Sequence, residues 1–96
     1  MQLFVIFDTA MSGKSVVRIF LKLNRAEFFL KDKSPHLYEL EEHAAPMGYA
    51  FPSKLFAAHY LVEGCDIHRF IGFHTTYDNA KRLVGETGLV MSFVPE

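Results

Sequence analysis

The run from Val16 to Lys31 has the most regular pattern in the chain, because apolar and cationic residues separate onto opposite sides when it turns by about 100° per residue. A strand over the same residues would mix valine, arginine, phenylalanine and lysine on one side, which does not suit a half-buried strand. The pattern therefore predicts a helix over residues 15–31. Its apolar side carries Val16, Ile19, Phe20, Leu23, Ala26 and Leu30, and its basic side carries Lys14, Arg18, Lys22 and Arg25.

The rest of the chain reads as a mixture of helices and strands. The continuous apolar run Leu3–Phe7 is typical of an inner strand. Thr75 or Thr76 is suited to cap a helix that Gly88 follows. Strands are predicted at 3–7, 65–75 and 89–94, helices at 15–31, 35–44, 54–63 and 77–86, and a minor strand or packed loop at 48–51.

This order predicts one α+β domain over residues 1–96. Ninety-six residues are the size of a single domain. We expect two layers, a three- or four-stranded sheet with helices mainly on one face. A ferredoxin-like βαββαβ core with an inserted helical segment fits this expectation, as do other two-layer arrangements. The sequence shows no internal repeat.

Composition narrows the classes of function and location. The net charge is −1 with five histidines counted as neutral, so the whole molecule does not attract nucleic acid or membranes. Cys65 is the single cysteine, which excludes an internal disulfide and favours a reducing compartment. The apolar run near the N-terminus is far shorter than the roughly 18–20 residues of a membrane span. We expect a cytoplasmic protein, in the host cytoplasm if the gene is viral.

The segment Gly13-Lys14-Ser15 follows a predicted strand and precedes a predicted helix, which is the layout of a phosphate-binding P-loop. The complete pattern has another glycine five positions before Gly13, where this chain has Asp8. That carboxylate would lie where phosphates approach. Phosphate or nucleotide binding through this loop is an alternative function.

Other catalytic or metal-binding patterns are weak. Cys65 and His68 would point to opposite faces of a strand, and His74 lies about 20 Å from His68 along an extended chain. Metal ligands must converge within about 2.0–2.3 Å of the ion. The carboxylates form no isolated pair of the kind used in acid–base catalysis. We expect no enzyme activity, no cofactor and no metal site.

The function that we favour is regulation or inhibition of a larger protein or nucleoprotein complex by surface binding. The chain combines 15% aromatic residues with a row of four cations, Lys14, Arg18, Lys22 and Arg25. We predict that this row, with exposed aromatic anchors, contacts the partner. Nucleic-acid binding by the same row is a third hypothesis. The acidic residues Glu39, Glu41 and Glu42 disfavour it, and they would allow acidic and basic rows to pair in a homodimer.

In general character, a short cytoplasmic α+β domain without motifs, the chain resembles phage-encoded anti-defence proteins, including anti-CRISPR proteins. This is a resemblance of type and no motif carries it. It implies an inhibitory binding protein and assigns no site residue.

Overall fold

The protein, described by a computed structural model over residues 1–96, contains six strands and two α-helices. The predicted α+β class is confirmed. No helix has both the length and the apolar character needed to cross a membrane. The elements are β1 (Gln2–Asp8), β2 (Ser15–Phe20), α1 (Leu23–Leu30), β3 (Tyr38–Ala44), β4 (Leu55–Leu61), β5 (His68–His74), α2 (Tyr77–Val84) and β6 (Leu89–Phe93).

The strands form two antiparallel sheets of three strands, in the orders β2-β1-β3 and β5-β4-β6. The expected single sheet is therefore replaced by two, and the element order is not βαββαβ. The main core cluster joins one face of β1, including Leu3 and Val5, to Leu55 and Ala57 of β4. Ala26 of α1 packs on the other face of β1, and Tyr77 of α2 contacts the other face of β4. Each sheet thus carries its own helix on its outer face.

The two halves of the chain repeat the same β-β-α-β unit with the same sheet order. Both hairpins have a register shift at the same place, between Ile6 and Phe7 in β1 and between Ala58 and His59 in β4. The halves can therefore be compared residue by residue, although the sequence had shown no repeat. Corresponding pairs are Phe7 and His59, Val17 and Ile71, Arg18 and Gly72, Arg25 and Asn79, Ala26 and Ala80, and Phe28 and Arg82.

The predicted helix over 15–31 is wrong in its first half, where the chain forms β2. The register shift in the β1–β2 pair leaves Val17 without a partner. This bulge interrupts the alternation of strand side chains, so that Val16 and Ile19, three positions apart, both join the main core. Their spacing imitates one side of a helix. The helix itself begins only at Leu23.

The predicted helices at 35–44 and 54–63 are also strands. β4 is the middle strand of its sheet, and Ala57 and Ala58, on opposite faces, are both buried. A strand that is buried on both faces loses the alternation that identifies it. β3 does alternate, since Tyr38 and Leu40 pack toward α1 while Glu39 is exposed. The suitability of Ser34 and Pro35 for a helix start and the spacing of Leu37, Leu40 and Ala44 had favoured a helix.

The predicted strand–helix–strand unit at the end of the chain is confirmed as β5, α2 and β6. Thr76 caps α2, since its side-chain oxygen accepts a hydrogen bond from the Asn79 backbone N–H at 3.2 Å. The helix ends at Val84, where Gly85 adopts a positive φ of 70° that favours glycine.

The outer edge of β2 is covered along its length. Its N-terminal end pairs with β5, its C-terminal end pairs with Glu96, and a ring nitrogen of His59 accepts the backbone N–H between them. A covered edge cannot recruit another strand. The bonds run from Lys14 N to His68 O (3.1 Å), Phe70 N to Lys14 O (2.7 Å), Val16 N to His59 Nε2 (3.2 Å), Leu21 N to Glu96 O (2.8 Å) and Glu96 N to Ile19 O (2.9 Å).

Candidate functional site

The larger of two surface depressions has a volume of about 640 Å³ and lies between β2, α1 and the last residue. We call it the α1 groove. It forms because β2 leads directly into α1, which folds back over the outer face of the first sheet. The residues that matter for its chemistry are Arg18, Arg25, Phe28, Phe29, Asp32 and Glu96.

The floor of the α1 groove is aromatic. The rings of Phe20 and Phe29 lie 5.8 Å apart between centroids, and the Arg18 guanidinium lies 5.4 Å and 5.0 Å from those two centroids. Lys33 lies 4.9 Å from the Phe29 centroid. These cation–π contacts hold Arg18 across the rings.

Arg18 and Glu96 form a bidentate ion pair at one end of the groove. Arg18 Nε and Nη2 each donate a hydrogen bond to one carboxylate oxygen of Glu96. The hydrogen bond from Arg18 keeps the pKa of Glu96 below its usual value despite partial burial, and Arg25 adds to this effect. The same pairing raises the pKa of Arg18. Both side chains are about 40% exposed (41% and 42%), so the pair adds little to stability. The pair does hold the Arg18 guanidinium and the Glu96 carboxylate in fixed positions in the groove.

Arg25 and Phe28 form the open part of the groove. They are three positions apart on α1 and so lie on adjacent turns of one side. Phe28 is 76% exposed, and Arg25 has no carboxylate within ion-pair distance. A large apolar ring beside an unpaired guanidinium is the composition of a binding hot spot.

The structure divides the predicted basic row of Lys14, Arg18, Lys22 and Arg25. Lys14 points toward the core side of the first sheet, with Nζ 4.8 Å from the Phe7 centroid, whereas Arg18 points to the outer side. Lys22 precedes the first turn of α1 and is exposed. Only Arg18 and Arg25 line the groove together. The single helical face predicted for all four is therefore wrong.

The sequence interpretation missed Phe28, Phe29, Asp32 and Glu96. One signal was available, since adjacent residues of a helix point about 100° apart, so that Phe28 and Phe29 do not both point to the centre of one core. The structure makes Phe29 part of the packing and leaves Phe28 outside. The contribution of Glu96 depends on the pairing of distant segments and had no local signal.

Lys14 takes part in a polar bridge within the protein, and its ammonium is not available to a ligand. Its Nζ lies 2.6 Å from Glu41 Oε2, and Glu41 Oε1 lies 2.9 Å from His43 Nε2. Burial raises the pKa of Glu41, but the hydrogen bonds from Lys14 and His43 outweigh it, so that the pKa lies below its usual value. The His43 ring packs edge-on against Phe7 at 5.8 Å. This bridge fastens β3 to β2 across β1.

The Gly13-Lys14-Ser15 loop lacks the geometry of a phosphate site. It joins β1 to β2, so a strand and not a helix N-terminus follows it. The Lys14 ammonium is already bound to Glu41. A shallow depression of about 480 Å³ beside the loop has Asp8 and Asp66 in its lining, and these carboxylates repel phosphate.

The histidines and Cys65 do not converge. No group of three or more His, Cys, Asp or Glu side chains is placed to hold a metal ion. Cys65 is exposed, and its thiol lies 3.5 Å from the Val62 carbonyl oxygen. No nucleophile–base arrangement links it to a histidine.

The two halves differ at the groove while they agree in the packing. The fourth residue of each helix is a fully buried alanine, Ala26 or Ala80. Phe28, by contrast, corresponds to Arg82, and Arg25 corresponds to Asn79. The β-β-α-β unit therefore does not require a phenylalanine or an arginine at these positions. The composition of the α1 groove belongs to the first half alone.

Comparison of the chain with protein-family models, with curated proteins and with solved structures finds no match.

Proposed function

We propose that this protein is a small non-enzymatic binding protein that regulates or inhibits a larger protein by covering part of its surface through the α1 groove. The observation that carries the proposal is Phe28, an exposed aromatic ring beside the unpaired cation Arg25. Neither residue has a packing role in α1, and neither occurs at the corresponding position of α2.

The free energy that Phe28 would gain on burial is sufficient for it to anchor a partner protein. Burial of a phenylalanine side chain is worth about 1.5–3 kcal/mol, and most of this gain is still unrealised at Phe28. A charge-assisted hydrogen bond from Arg25 to a carboxylate would add both energy and orientation. We expect a partner that offers an apolar pocket next to an acidic residue.

The charges at the groove favour a protein over nucleic acid. Arg18 is neutralised by Glu96, and Lys14 is neutralised by Glu41. Asp32 and Glu96 both lie in the groove lining. A phosphate backbone would meet these carboxylates, whereas a mixed protein surface can pair with both signs.

The test is affinity capture of the tagged protein from a lysate of its source cells, followed by identification of the proteins retained. Phe28→Ala and Arg25→Glu should each greatly reduce capture of the partner, because each removes one part of the hot spot. Arg82→Ala and Asn79→Glu, at the corresponding positions of α2, are matched controls and should capture as the wild type does. Capture that survives both groove variants would refute the proposal.

A further inference from the structure

The four edges of the two sheets differ in how far they are protected. The edge of β2 is covered by β5, by His59 and by Glu96, and β5 shares that pairing at its N-terminal end. β3 carries three glutamates, and charged residues on an edge discourage further strand pairing. β6, with the sequence Leu-Val-Met-Ser-Phe, carries no charge at all.

The edge of β6 is also free. β6 pairs with β4 on one side, and none of its residues takes part in a backbone hydrogen bond outside that ladder. None of its five residues is buried, whereas four residues of the neighbouring β4 are. A strand of β-forming residues with an open, uncharged edge is a template for another strand.

We propose that β6 pairs with β6 of a second copy of this chain, antiparallel and across a two-fold axis at Met91, to form a homodimer. The pairing would extend the sheet β5-β4-β6 to six strands. This surface is distinct from the α1 groove, and the proposal does not rest on the proposed function.

The self-complementarity of the strand identifies the second copy as the occupant. In this register every cross-strand pair is uncharged: Leu89 faces Phe93, Val90 faces Ser92, and Met91 faces its own counterpart. Aromatic and aliphatic pairs such as Leu89 with Phe93 stabilise a sheet, and no pair brings like charges together. The same operation on β3, centred on Glu41, would place two carboxylates directly opposite each other, which is destabilising. The two-fold pairing about the central residue therefore favours β6 over β3.

The dimer should be weak. Two five-residue strands bury less than the roughly 1,200 Å² of the smallest standard interfaces. We expect a dissociation constant in the range of about 1 µM to 1 mM, so dimers form as the concentration rises.

The test is sedimentation or light scattering over protein concentrations from about 1 µM to 1 mM, which spans that range. The average mass should rise from 11.0 kDa toward twice that value. Ser92→Lys places a cation on the exposed side of β6, and we expect it to raise the dissociation constant at least tenfold. Ala44→Lys adds the same charge at an exposed position of β3 and should change nothing.

A second variant, Met91→Lys, places two like charges opposite each other on the proposed axis. It should remain monomeric at every concentration while circular dichroism shows a folded chain. A wild type of constant 11.0 kDa mass, or equal dissociation by Ser92→Lys and Ala44→Lys, would overturn the proposal. A dimer that persists in both β6 variants would overturn it as well, since it would place the interface elsewhere.

Discussion

His59 connects the two sheets through a single neutral ring. It is fully buried, and its Nε2 accepts the Val16 backbone N–H at 3.2 Å. Nε2 therefore carries no proton, and Nδ1 donates to the Ala57 carbonyl oxygen at 3.2 Å. In the first half the corresponding residue is Phe7, which needs no such partner. The histidine satisfies a backbone group of β2 that would otherwise be left unpaired in the core.

We predict that stability falls as the pH drops below about 6.5, the pKa of an unperturbed histidine. Burial lowers the pKa of folded His59, and the nearby His68 acts in the same direction. The unfolded chain therefore takes up the proton first, and stability is lost until the pH reaches the folded pKa. A folded-state pKa that is lower by one pH unit corresponds to about 1.4 kcal/mol of folding free energy.

Urea unfolding of the wild type and of His59→Gln at about pH 7.5 and pH 5.5 measures this effect. Glutamine can still accept the Val16 N–H but does not titrate. The wild type should lose more stability than the variant between the two pH values. Glu41 and Glu96 do not interfere, because their lowered pKa values move their titration further from this pH range. Equal losses would show that His59 does not control the pH response.

Gly88 gives a second prediction at the scale of one residue. A Cβ at this position would lie 2.3 Å from the Val84 Cβ, closer than any real contact. Gly88→Ala should therefore destabilise the protein by about 1–3 kcal/mol, as overpacking does. Gly72→Ala is the control, since the nearest atom to its Cβ would be His74 Nε2 at 4.0 Å. Thermal melting of the two variants distinguishes them, and equal melting temperatures would contradict the close approach of Gly88 to Val84 of α2.

At the scale of elements, the sequence predicted those segments whose pattern is local. α2 has its cap and its buried alanine close together in the sequence and was predicted to within two residues of its end, although Gly85 and not Gly88 ends it. β2 was not predicted, because a bulge against β1 set the spacing of its buried residues. That bulge is a property of the pair of strands and cannot be read from one of them.

The cap of α2 can be tested directly. Thr76→Ala removes the acceptor for the Asn79 N–H and should cost about 1 kcal/mol. The neighbouring exposed residue offers a matched control, because Thr75 caps no helix, and Thr75→Ala should have an effect within about 0.5 kcal/mol. Chemical denaturation measures both changes. Similar values for the two variants would show that the cap does not stabilise α2.

At the scale of the whole molecule, the chain consists of two β-β-α-β units with the same sheet order and different sequences. The repeat was invisible in the sequence because the halves share packing positions, such as Ala26 and Ala80, more than they share residue types. The prediction of the site was partial for a related reason. Arg18 and Arg25 were identified as candidates, but their separation from Lys14 depends on which sheet face each element presents.

The repeat also supplies an internal reference for the proposed function. A residue that the β-β-α-β unit itself requires should occur in both halves, whereas a residue whose role belongs to one half can occur in that half alone, whether the role is binding or, as for His59, packing. Phe28 and Arg25 meet the second condition, since α2 has Arg82 and Asn79 in their places. We therefore expect Phe28→Ala and Arg25→Glu to change stability by no more than about 0.5 kcal/mol, as is usual for exposed positions.

The most direct test of this account is the affinity of the captured partner for the Phe28→Ala and Arg82→Ala variants, measured side by side by calorimetry. Phe28→Ala should weaken binding at least tenfold, or by about 1.4 kcal/mol, with an unchanged melting temperature. Arg82→Ala should bind as tightly as the wild type. Equal affinities for the two variants, or a loss of binding that follows a loss of folding, would contradict the assignment of the α1 groove.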